Sequence, residues 1–570
     1  MNIRRAVAGL VSQAVEAVFP QACLGTDDIA LLLELPPDAA MGDFAFPCFQ
    51  LSRQLRMGPP QIAQKLAGAV SSSGLARAEV KGGYLNFFFS RPLLAKGVLE
   101  DIASDPEAWG SSEQGKGKTV CIDYSSINIA KRFHIGHLST TAIGHSLKRI
   151  YGFLGWRTVG INHLGDWGTQ FGKMIAAYRH WGSREMVEEG GVQALSDLYV
   201  RFHQEAEADP GLDEEGRAWF KRIEDGDNEA LEIFDWFKAL TLKDAGRVYD
   251  ILDVSFDSYD GESFFNDKMD RVVSELKARD LLRESDGAFV VDLEPWGMPP
   301  CLILKSDGAT LYATRDIAAA LYRKDTYGFD KCLYVVAYQQ DLHFRQVFKV
   351  LELMGYDWAG EETEHVAFGM ISYEGEPLST RKGNTIYLDE LLTRAQDKAL
   401  AIIDEKTPGL ENKAEVARQV GVGSVIFFDL YNSRIKDIDF RWDRALNFDG
   451  ETGPYVQYTH ARCCSVLKKA GDINALPDYS ALEDDEALAL IKMLALFPEA
   501  VEEAARRNEP SVVTRAVTEI AKAYNKYYYE HRILGQDEAA TSARLALTRA
   551  ARDIIKTGLY LIGLQAPRQM

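Results

Sequence analysis

One stretch of the chain, Val120 to Gly172, limits the possible folds more than any other. An apolar β run from Val120 to Tyr124 enters a turn rich in serine and asparagine. The turn leads into His134-Ile-Gly-His137 and then into an amphipathic helical pattern. Nucleotide-binding α/β folds use this layout to place phosphates against free backbone N–H groups. Histidines three residues apart can face one ligand, and Gly136 between them keeps the backbone accessible.

Composition narrows the class of protein. At 570 residues and 46% hydrophobic content, the chain is long enough for several domains with large cores. A net charge of −20 argues against a general polyanion binder, but it does not exclude RNA, which needs only a local basic surface. The seven cysteines form no CxxC pair or Cys/His metal spacing, so we expect reduced thiols and no structural metal. No signal peptide or membrane-length apolar run occurs, which predicts a cytoplasmic protein without membrane contact.

The HxGH motif alone also occurs at ordinary helix starts, so its flanks decide its meaning. SSINIAK precedes the motif and NHLGDWGTQFG follows one βα unit later, and both segments resemble the first signature region of class I arginyl-tRNA synthetases. The segments GDFAFP and GYLNF near the start, YATRD in the middle and NKYYYEHRIL near the end resemble the same family. The resemblance therefore covers essentially the whole chain.

The resemblance implies a multidomain α/β protein. We expect an N-terminal α+β domain over residues 1–115 that touches the corner of the tRNA. A Rossmann-like class I parallel-sheet catalytic domain should span 116–440, with a helical insertion at about 180–252. A C-terminal all-α bundle over 441–570 should bind the anticodon. Within the first domain, the apolar run Ile29 to Leu35 predicts a short buried strand ended by two prolines.

The implied activity is that of an arginine–tRNA ligase: ATP activates L-arginine to an adenylate, and the arginine passes to the terminal adenosine of tRNA(Arg). Such chemistry depends on positioning and on positive charge at the leaving phosphates. The resemblance implies catalytic roles for Lys131, His134, His137, Arg381 and Lys382. It implies ATP contacts for His134, Gly136, His137, His343 and Ser379. The loop LSTRKGN lacks the first lysine of the second signature, and Lys131 is expected to compensate.

Two groups of residues are candidates for binding arginine. The resemblance places Asp123, Ser125 and Asn128 near the α-ammonium and carboxylate of the substrate. YATRD resembles the family segment that reads the guanidinium, which implies that Tyr312 stacks on this group and Asp316 pairs with it. A forked planar cation suits a carboxylate in bidentate geometry. Gln340 resembles a family position that contacts arginine. From the residues alone, a hairpin turn at Asp307 precedes a second strand and a helix that begins near Thr314. Asp316 could then serve only the dipole at the start of that helix.

Aromatic and basic residues near the C-terminus suggest contacts with RNA. The candidates are Tyr524, Tyr528, Arg532 and Arg552. Exposed aromatic rings stack on unpaired bases, and basic side chains bind phosphates. The alternative is an aromatic core with a solvated charged face.

Three positions depart from the usual family pattern. Ile127 and Arg132 stand where the family generally has prolines, and Ser139 stands where it often has arginine. Loss of two prolines leaves the loop less constrained before folding. Arg132 is expected to add charge beside the phosphate site.

ATP with Mg²⁺, L-arginine and tRNA(Arg) are the expected ligands and partners, and we expect a monomer. Magnesium should bind mainly through the phosphates of the nucleotide. Two other classes remain open. A different nucleotidyltransferase could use HxGH, but YATRD and the C-terminal bundle would then have no purpose. A catalytically weakened paralogue could serve as an arginine sensor or RNA-binding protein, and it would bind arginine with negligible turnover.

Overall fold

The computed structural model of the chain describes residues 2–70, 76–305, 311–377, 386–471, 475–535 and 537–570. Ser379, Arg381 and Lys382 therefore lie outside the described residues, as does the predicted turn at Asp307. None of the described helices combines the length and the hydropathy that a membrane crossing requires.

The N-terminal unit packs helices against a small antiparallel sheet of order β1-β3-β2. Its elements are α1 (Ile3–Val18), α2 (Thr26–Leu32), β1 (Phe44–Pro47), α3 (Phe49–Leu55), α4 (Pro59–Ala69), β2 (Ala76–Lys81), β3 (Tyr84–Phe89) and α5 (Arg91–Ser104). The strand predicted over Ile29 to Leu35 is wrong, because most of that run belongs to helix α2. The Asp28 carboxylate accepts the backbone N–H of Gly25 and caps this helix, while Leu31 stays 87% exposed.

A four-stranded parallel sheet forms the centre of the molecule. Its strands and the neighbouring elements are β4 (Thr119–Asp123), α6 (Leu138–Phe153), β5 (Arg157–Ile161), α7 (Thr169–Trp181), α8 (Arg184–Ala208), α9 (Gly211–Glu224), α10 (Asn228–Leu252), α11 (Met269–Ala278), β6 (Leu282–Ser285), β7 (Ala288–Val291), β8 (Cys301–Leu304), α12 (Tyr312–Tyr327), β9 (Lys331–Tyr334), α13 (Asp341–Leu353), α14 (Trp358–Glu361) and β10 (Thr363–His365). The strand order is β10-β9-β4-β5. The next strand in the chain, β5, lies on one side of β4, and the later strands β9 and β10 lie on its other side, so the strand order reverses at β4. Open α/β sheets bind ligands at the carboxyl ends of strands where the order reverses.

Helical and smaller β elements complete the chain. They are β11 (Ile371–Tyr373), β12 (Glu376–Pro377), α15 (Leu388–Lys406), α16 (Lys413–Tyr431), β13 (Ile438–Phe440), α17 (Trp442–Ala445), α18 (Gly453–Ala470), α19 (Asp485–Arg507), α20 (Ser511–Glu530) and α21 (Glu538–Leu561). Strands β6, β7 and β8 form an antiparallel meander, and β11 pairs with both β12 and β13. The predicted architecture is confirmed: an α+β unit, a parallel-sheet domain with a helical insertion, and a C-terminal helical bundle.

Helix α6 lies between the parallel sheet and the C-terminal helices, and it is buried from Leu138 to Leu147. The predicted amphipathic pattern therefore has no solvated face there. Two of its buried hydroxyls bond to other elements: Thr140 donates to the carbonyl of Val335 and Ser146 to that of Leu561. Buried hydroxyls with such partners avoid the cost of unpaired polar groups, so this helix joins two domains.

The close approach of α6 to β4 predicts a stability effect. A Cβ added at Gly144 would lie 2.3 Å from the Cβ and Cγ atoms of Tyr124, so Gly144→Ala forces the helix away from the strand end. We expect a loss of ~1–3 kcal/mol, because overpacked cores shift rather than compress. Gly152→Ala on the same helix is the matched control, since its nearest neighbour would be the Cγ2 atom of Thr158 at 3.8 Å.

Differential scanning calorimetry measures both variants. The thermal midpoint should fall for Gly144→Ala and should hold or rise slightly for the exposed Gly152→Ala, because alanine favours helix. Equal midpoints for the two variants would contradict the close packing.

Candidate active site

The loop after β4 carries the HxGH motif, and it adopts an unusual backbone. Ser125, Ser126 and Ala130 have positive φ angles of 72°, 47° and 61°. Such angles are costly for residues with side chains and need support from the surroundings. The support is buried: the Ser125 N–H donates to the Thr140 hydroxyl, and the Ala130 N–H donates to the Thr241 hydroxyl.

Each of the three residues that depart from the family pattern makes contacts within the protein. Ile127 is buried, and its carbonyl accepts the N–H of Gly165 at 2.9 Å. Arg132 was expected to add charge beside the phosphate site, but its charge is paired within the protein. Its guanidinium stacks on the ring of Tyr387 and pairs with Asp389 and Glu390 at the start of α15. Two carboxylates thus take up its charge.

The third departure, Ser139, bonds α6 to α16. Its hydroxyl donates to the buried Asp429 carboxylate at 2.6 Å. Burial raises the pKa of the Asp429 carboxyl to about 6. Ser139 thus gives the Asp429 carboxyl group a hydrogen bond, but not the positive charge that an arginine would bring.

The two histidines of the motif lie against each other, with ring centroids 4.1 Å apart. His134 Nδ1 accepts the N–H of Gly136, so the proton of this neutral ring is on Nε2. Burial and the nearby Lys131 lower the pKa of His134. Burial and His134 lower the pKa of His137 to about 3. Both rings are therefore neutral near pH 7 and act as hydrogen-bond donors rather than as cations.

The end of β4 is joined to helix α12 by a buried ion pair. Arg323 Nη2 lies 2.8 Å from Asp123 Oδ2, and the guanidinium lies over the ring of Tyr334. Asp123 Oδ1 also accepts the Ser126 hydroxyl. The carboxylate predicted to bind the substrate ammonium is therefore already paired within the protein.

Ser125 also has internal partners. Its hydroxyl lies 2.8 Å from the Tyr249 hydroxyl and accepts a hydrogen bond from Thr141, and Asn162 donates to the same tyrosine. This buried network holds the loop, which is a different role from the predicted contact with arginine. Asn128, in contrast, is exposed on the loop beside Gly165 and remains available to a ligand.

The candidates for reading a guanidinium surround the start of two helices. Tyr312 is the first residue of α12 and is 66% exposed. The helix starts two residues before the predicted position near Thr314: Leu311 is its N-cap residue, and the Thr314 hydroxyl donates to the Ile303 carbonyl. The second strand predicted before the helix falls mainly outside the described residues. Asp316 lies one turn into the helix, and Gln340 is exposed just before α13.

Asp316 contacts His343, which was predicted to contact ATP. His343 Nε2 lies 2.5 Å from Asp316 Oδ2. The pKa of Asp316 is lowered: burial opposes the shift, but the hydrogen bond and charge of His343 prevail. The pKa of His343 is raised, because the bond to Asp316 outweighs the effect of burial.

Some residues of this site were missed by sequence reasoning. Arg323 follows Asp316 by seven residues, so the two share one helix face, and that spacing was a usable signal. Glu262 has no comparable signal, because only the fold brings it beside Arg315, at 3.7 Å. Burial raises the pKa of Glu262 to about 7, although the Arg315 charge opposes the shift.

The second signature segment approaches the motif at its described end. The Ile135 N–H donates to the Ile386 carbonyl at 2.9 Å, and the Leu388 N–H donates to the Phe133 carbonyl at 2.9 Å. Tyr387 bridges to His134 in an antiparallel pairing. Residues 386–388, at the end of the second signature segment, therefore lie against the HxGH loop.

A second candidate surface is an open cleft of about 2300 Å³ in the helical bundle, and three of the residues predicted to bind RNA, Tyr528, Arg532 and Arg552, line it. Tyr524 does not. It is fully buried in the bundle core, so the predicted contact between Tyr524 and RNA is wrong: the apolar face of α20 points inward at this position. Arg462, which sequence reasoning missed, lies over the Tyr528 ring.

Known proteins are similar to this chain along its whole length. Family models match the chain over residues 101–442 (tRNA synthetases class I (R), catalytic domain), 456–570 (DALR anticodon binding domain) and 5–89 (Arginyl tRNA synthetase N terminal domain). A protein of Alkaliphilus metalliredigens named arginine–tRNA ligase is 49% identical over 575 residues, covering 100% of both chains. One of Clostridioides difficile with the same name is 50% identical and covers 96% of this chain and 97% of its own length.

Solved structures show the same arrangement of elements. The arginyl-tRNA synthetase of Thermus thermophilus matches with a TM-score of 0.85, 28% identity and complete coverage of both chains. That of Plasmodium falciparum shares the fold at a TM-score of 0.80 and 20% identity, covering 100% of this chain and 99% of its own. From the family models and the full-length relatives, this chain belongs to the class I arginyl-tRNA synthetase family.

Proposed function

We propose that this protein is an arginine–tRNA ligase that activates L-arginine with ATP and charges tRNA(Arg). The observation that carries the proposal is the topology of the parallel sheet: the HxGH loop follows β4, Gln340 follows the neighbouring parallel strand β9, and Asp316 lies near the start of α12, the helix that leads into β9. All three therefore lie at the carboxyl end of the sheet. This end of a parallel sheet accommodates a nucleotide and an amino acid side by side. The full-length relatives named arginine–tRNA ligase support the same activity.

The chemistry has two balanced steps. The arginine carboxylate attacks the α-phosphate of ATP and pyrophosphate leaves; then a ribose hydroxyl of the terminal adenosine attacks the arginyl carbonyl and AMP leaves. Neutral His134 and His137 donate to phosphate oxygens as charge develops there, and Lys131 supplies positive charge nearby. Gly136 gives the phosphates access to the backbone. Mg²⁺ accompanies ATP and is held mainly by the phosphates.

Further contacts follow from the resemblance. Ser379, Arg381 and Lys382 act on the leaving pyrophosphate. Asn128 binds the substrate carboxylate. The Asp123 carboxylate, which also pairs with Arg323, binds the substrate ammonium. Tyr312 stacks on the guanidinium.

The domains divide the RNA between them. Residues 1–115 contact the corner of the tRNA, residues 116–440 perform the reaction, and residues 441–570 bind the anticodon. In the last domain, Tyr528 stacks on bases while Arg532 and Arg552 bind phosphates. The enzyme acts as a cytoplasmic monomer.

Pyrophosphate exchange tests the function. Labelled pyrophosphate should enter ATP only when L-arginine and tRNA(Arg) are both present. The family resemblance implies that tRNA is needed even for adenylate formation. Exchange without tRNA would keep the enzyme class but contradict that requirement. Binding of arginine without exchange under either condition would favour an arginine sensor.

The carboxylate of Asp316 should set amino acid selection. We expect Asp316→Asn to lower kcat/KM for arginine by roughly 10²-fold or more, because removing one partner of a desolvated charge pair costs several kcal/mol. Asp325→Asn is the matched control on the same helix, where the carboxylate pairs with Arg271 instead. An unchanged preference for arginine over lysine in Asp316→Asn would contradict the assignment.

The second histidine of the motif should act in the transition state. We expect His137→Ala to reduce the rate of adenylate formation by ~10²-fold or more, with little change in the KM for arginine. Single-turnover adenylation, followed at saturating arginine, measures this rate. A loss confined to arginine affinity would place His137 elsewhere in the mechanism.

A further inference from the structure

The contact between His343 and Asp316 joins the starts of two helices. Asp316 lies in the first turns of α12, His343 is the third residue of α13, and their side chains approach within 2.5 Å. Each side chain of the pair is about a quarter exposed, at 25% for His343 and 27% for Asp316. A ligand can therefore reach the carboxylate while the imidazole is in place.

Several other titratable groups surround the pair. Besides His343, Asp316 is influenced by His163 after β5 and by Arg323 on its own helix. Asp316 in turn influences Cys301 on β8 and Glu262. The ring of His343 packs edge-on against Phe344. Among the described residues, Asp316 is the charged group that influences this imidazole.

We propose that His343 is a positioning residue of the arginine pocket, and that it must be neutral for the arginine cation to bind Asp316. The proposal rests on the proposed function. It replaces the predicted contact of His343 with ATP, and it makes arginine binding release a proton from this imidazole.

The reason lies in the capacity of one carboxylate. A carboxylate offers about four lone-pair positions, so a forked guanidinium and one neutral imidazole N–H can share it. An imidazolium in the same place would put two cations on one charge in a partly desolvated site, where like charges repel strongly. The geometry thus tolerates neutral His343 beside the substrate and disfavours its protonated form.

The sign of the pH effect follows. In the arginine-free enzyme the pKa of His343 lies above its ordinary value of about 6.5, because it bonds to Asp316. The incoming cation lowers that pKa. Below the free-enzyme pKa the apparent dissociation constant for arginine should therefore rise by up to about tenfold per pH unit lost, and above it the constant should be level.

Glu262 could produce a similar trend, and the experiment separates the two groups. Burial raises the pKa of its carboxyl to about 7, so its ionisation would also favour arginine as the pH rises. His343→Gln keeps an N–H donor near the position of Nε2 but cannot titrate. Glu262→Gln removes the other titration. His180→Gln is the matched control, because its Nε2 lies 2.8 Å from the Glu215 carboxylate, in the helical insertion.

Calorimetry of L-arginine binding to the full chain, in buffers of different ionisation enthalpy, counts the protons released. Below the free-enzyme pKa of His343, His343→Gln should release about one proton fewer per arginine than the wild type. Glu262→Gln and His180→Gln should still release the proton from His343 when arginine binds. Equal release by the wild type and His343→Gln would overturn the inference. Absence of arginine binding by the wild type at every pH would overturn the proposed function, and this inference with it.

Two further measurements guard against a merely structural effect. In pyrophosphate exchange, His343→Gln should lose the pH dependence of the KM for arginine and leave the KM for ATP unchanged. A change confined to the KM for ATP would overturn the proposal and support the predicted contact between His343 and ATP. NMR of labelled histidines in the wild-type enzyme should show one imidazole, absent from His343→Gln, whose pKa falls when arginine is added; an unchanged pKa would overturn the proposal.

Discussion

The buried ion pair between Asp123 and Arg323 holds together the two parts of the candidate active site. Asp123 ends the central strand, where the HxGH loop begins, and Arg323 lies two turns beyond Asp316 on α12. Burying either charge alone would be costly, and removing one partner of such a pair typically costs ~3–5 kcal/mol. The pair thus sets the distance between the nucleotide loop and the guanidinium pocket. The stacking of Arg323 on Tyr334 extends the same constraint to strand β9.

Charge is distributed unevenly around this connection. The two histidines of the motif are neutral because burial and neighbouring positive charge lower their pKa values. In the proposed mechanism, Lys131 and the second signature loop supply positive charge for the phosphates, while Arg132 pairs with Asp389. On the other side of the ion pair, Asp316 keeps a negative charge for the substrate. A zwitterionic amino acid with a cationic side chain can therefore be oriented before the reaction begins.

Local patterns predicted the parts of the structure whose causes are local. The strand, loop and helix around His134 follow from periodicity and turn residues, and the order of the domains follows from motifs spread along the chain. Most of the errors occurred where distant contacts decide. Tyr524 faces the core because α20 packs on four other helices. The run from Ile29 is a different case, because a local cap by Asp28 starts a helix there. Neither the partner of His343 nor that of Arg132 is near it in sequence, so only the fold could reveal them.

A crystal structure of the full chain with a non-hydrolysable arginyl-adenylate analogue would test the central claim most directly. Our account predicts that the guanidinium binds the Asp316 carboxylate at about 2.7–2.9 Å, with the phosphate mimic against the HxGH loop. An analogue bound with its guanidinium away from Asp316, or away from the carboxyl edge of the parallel sheet, would contradict it.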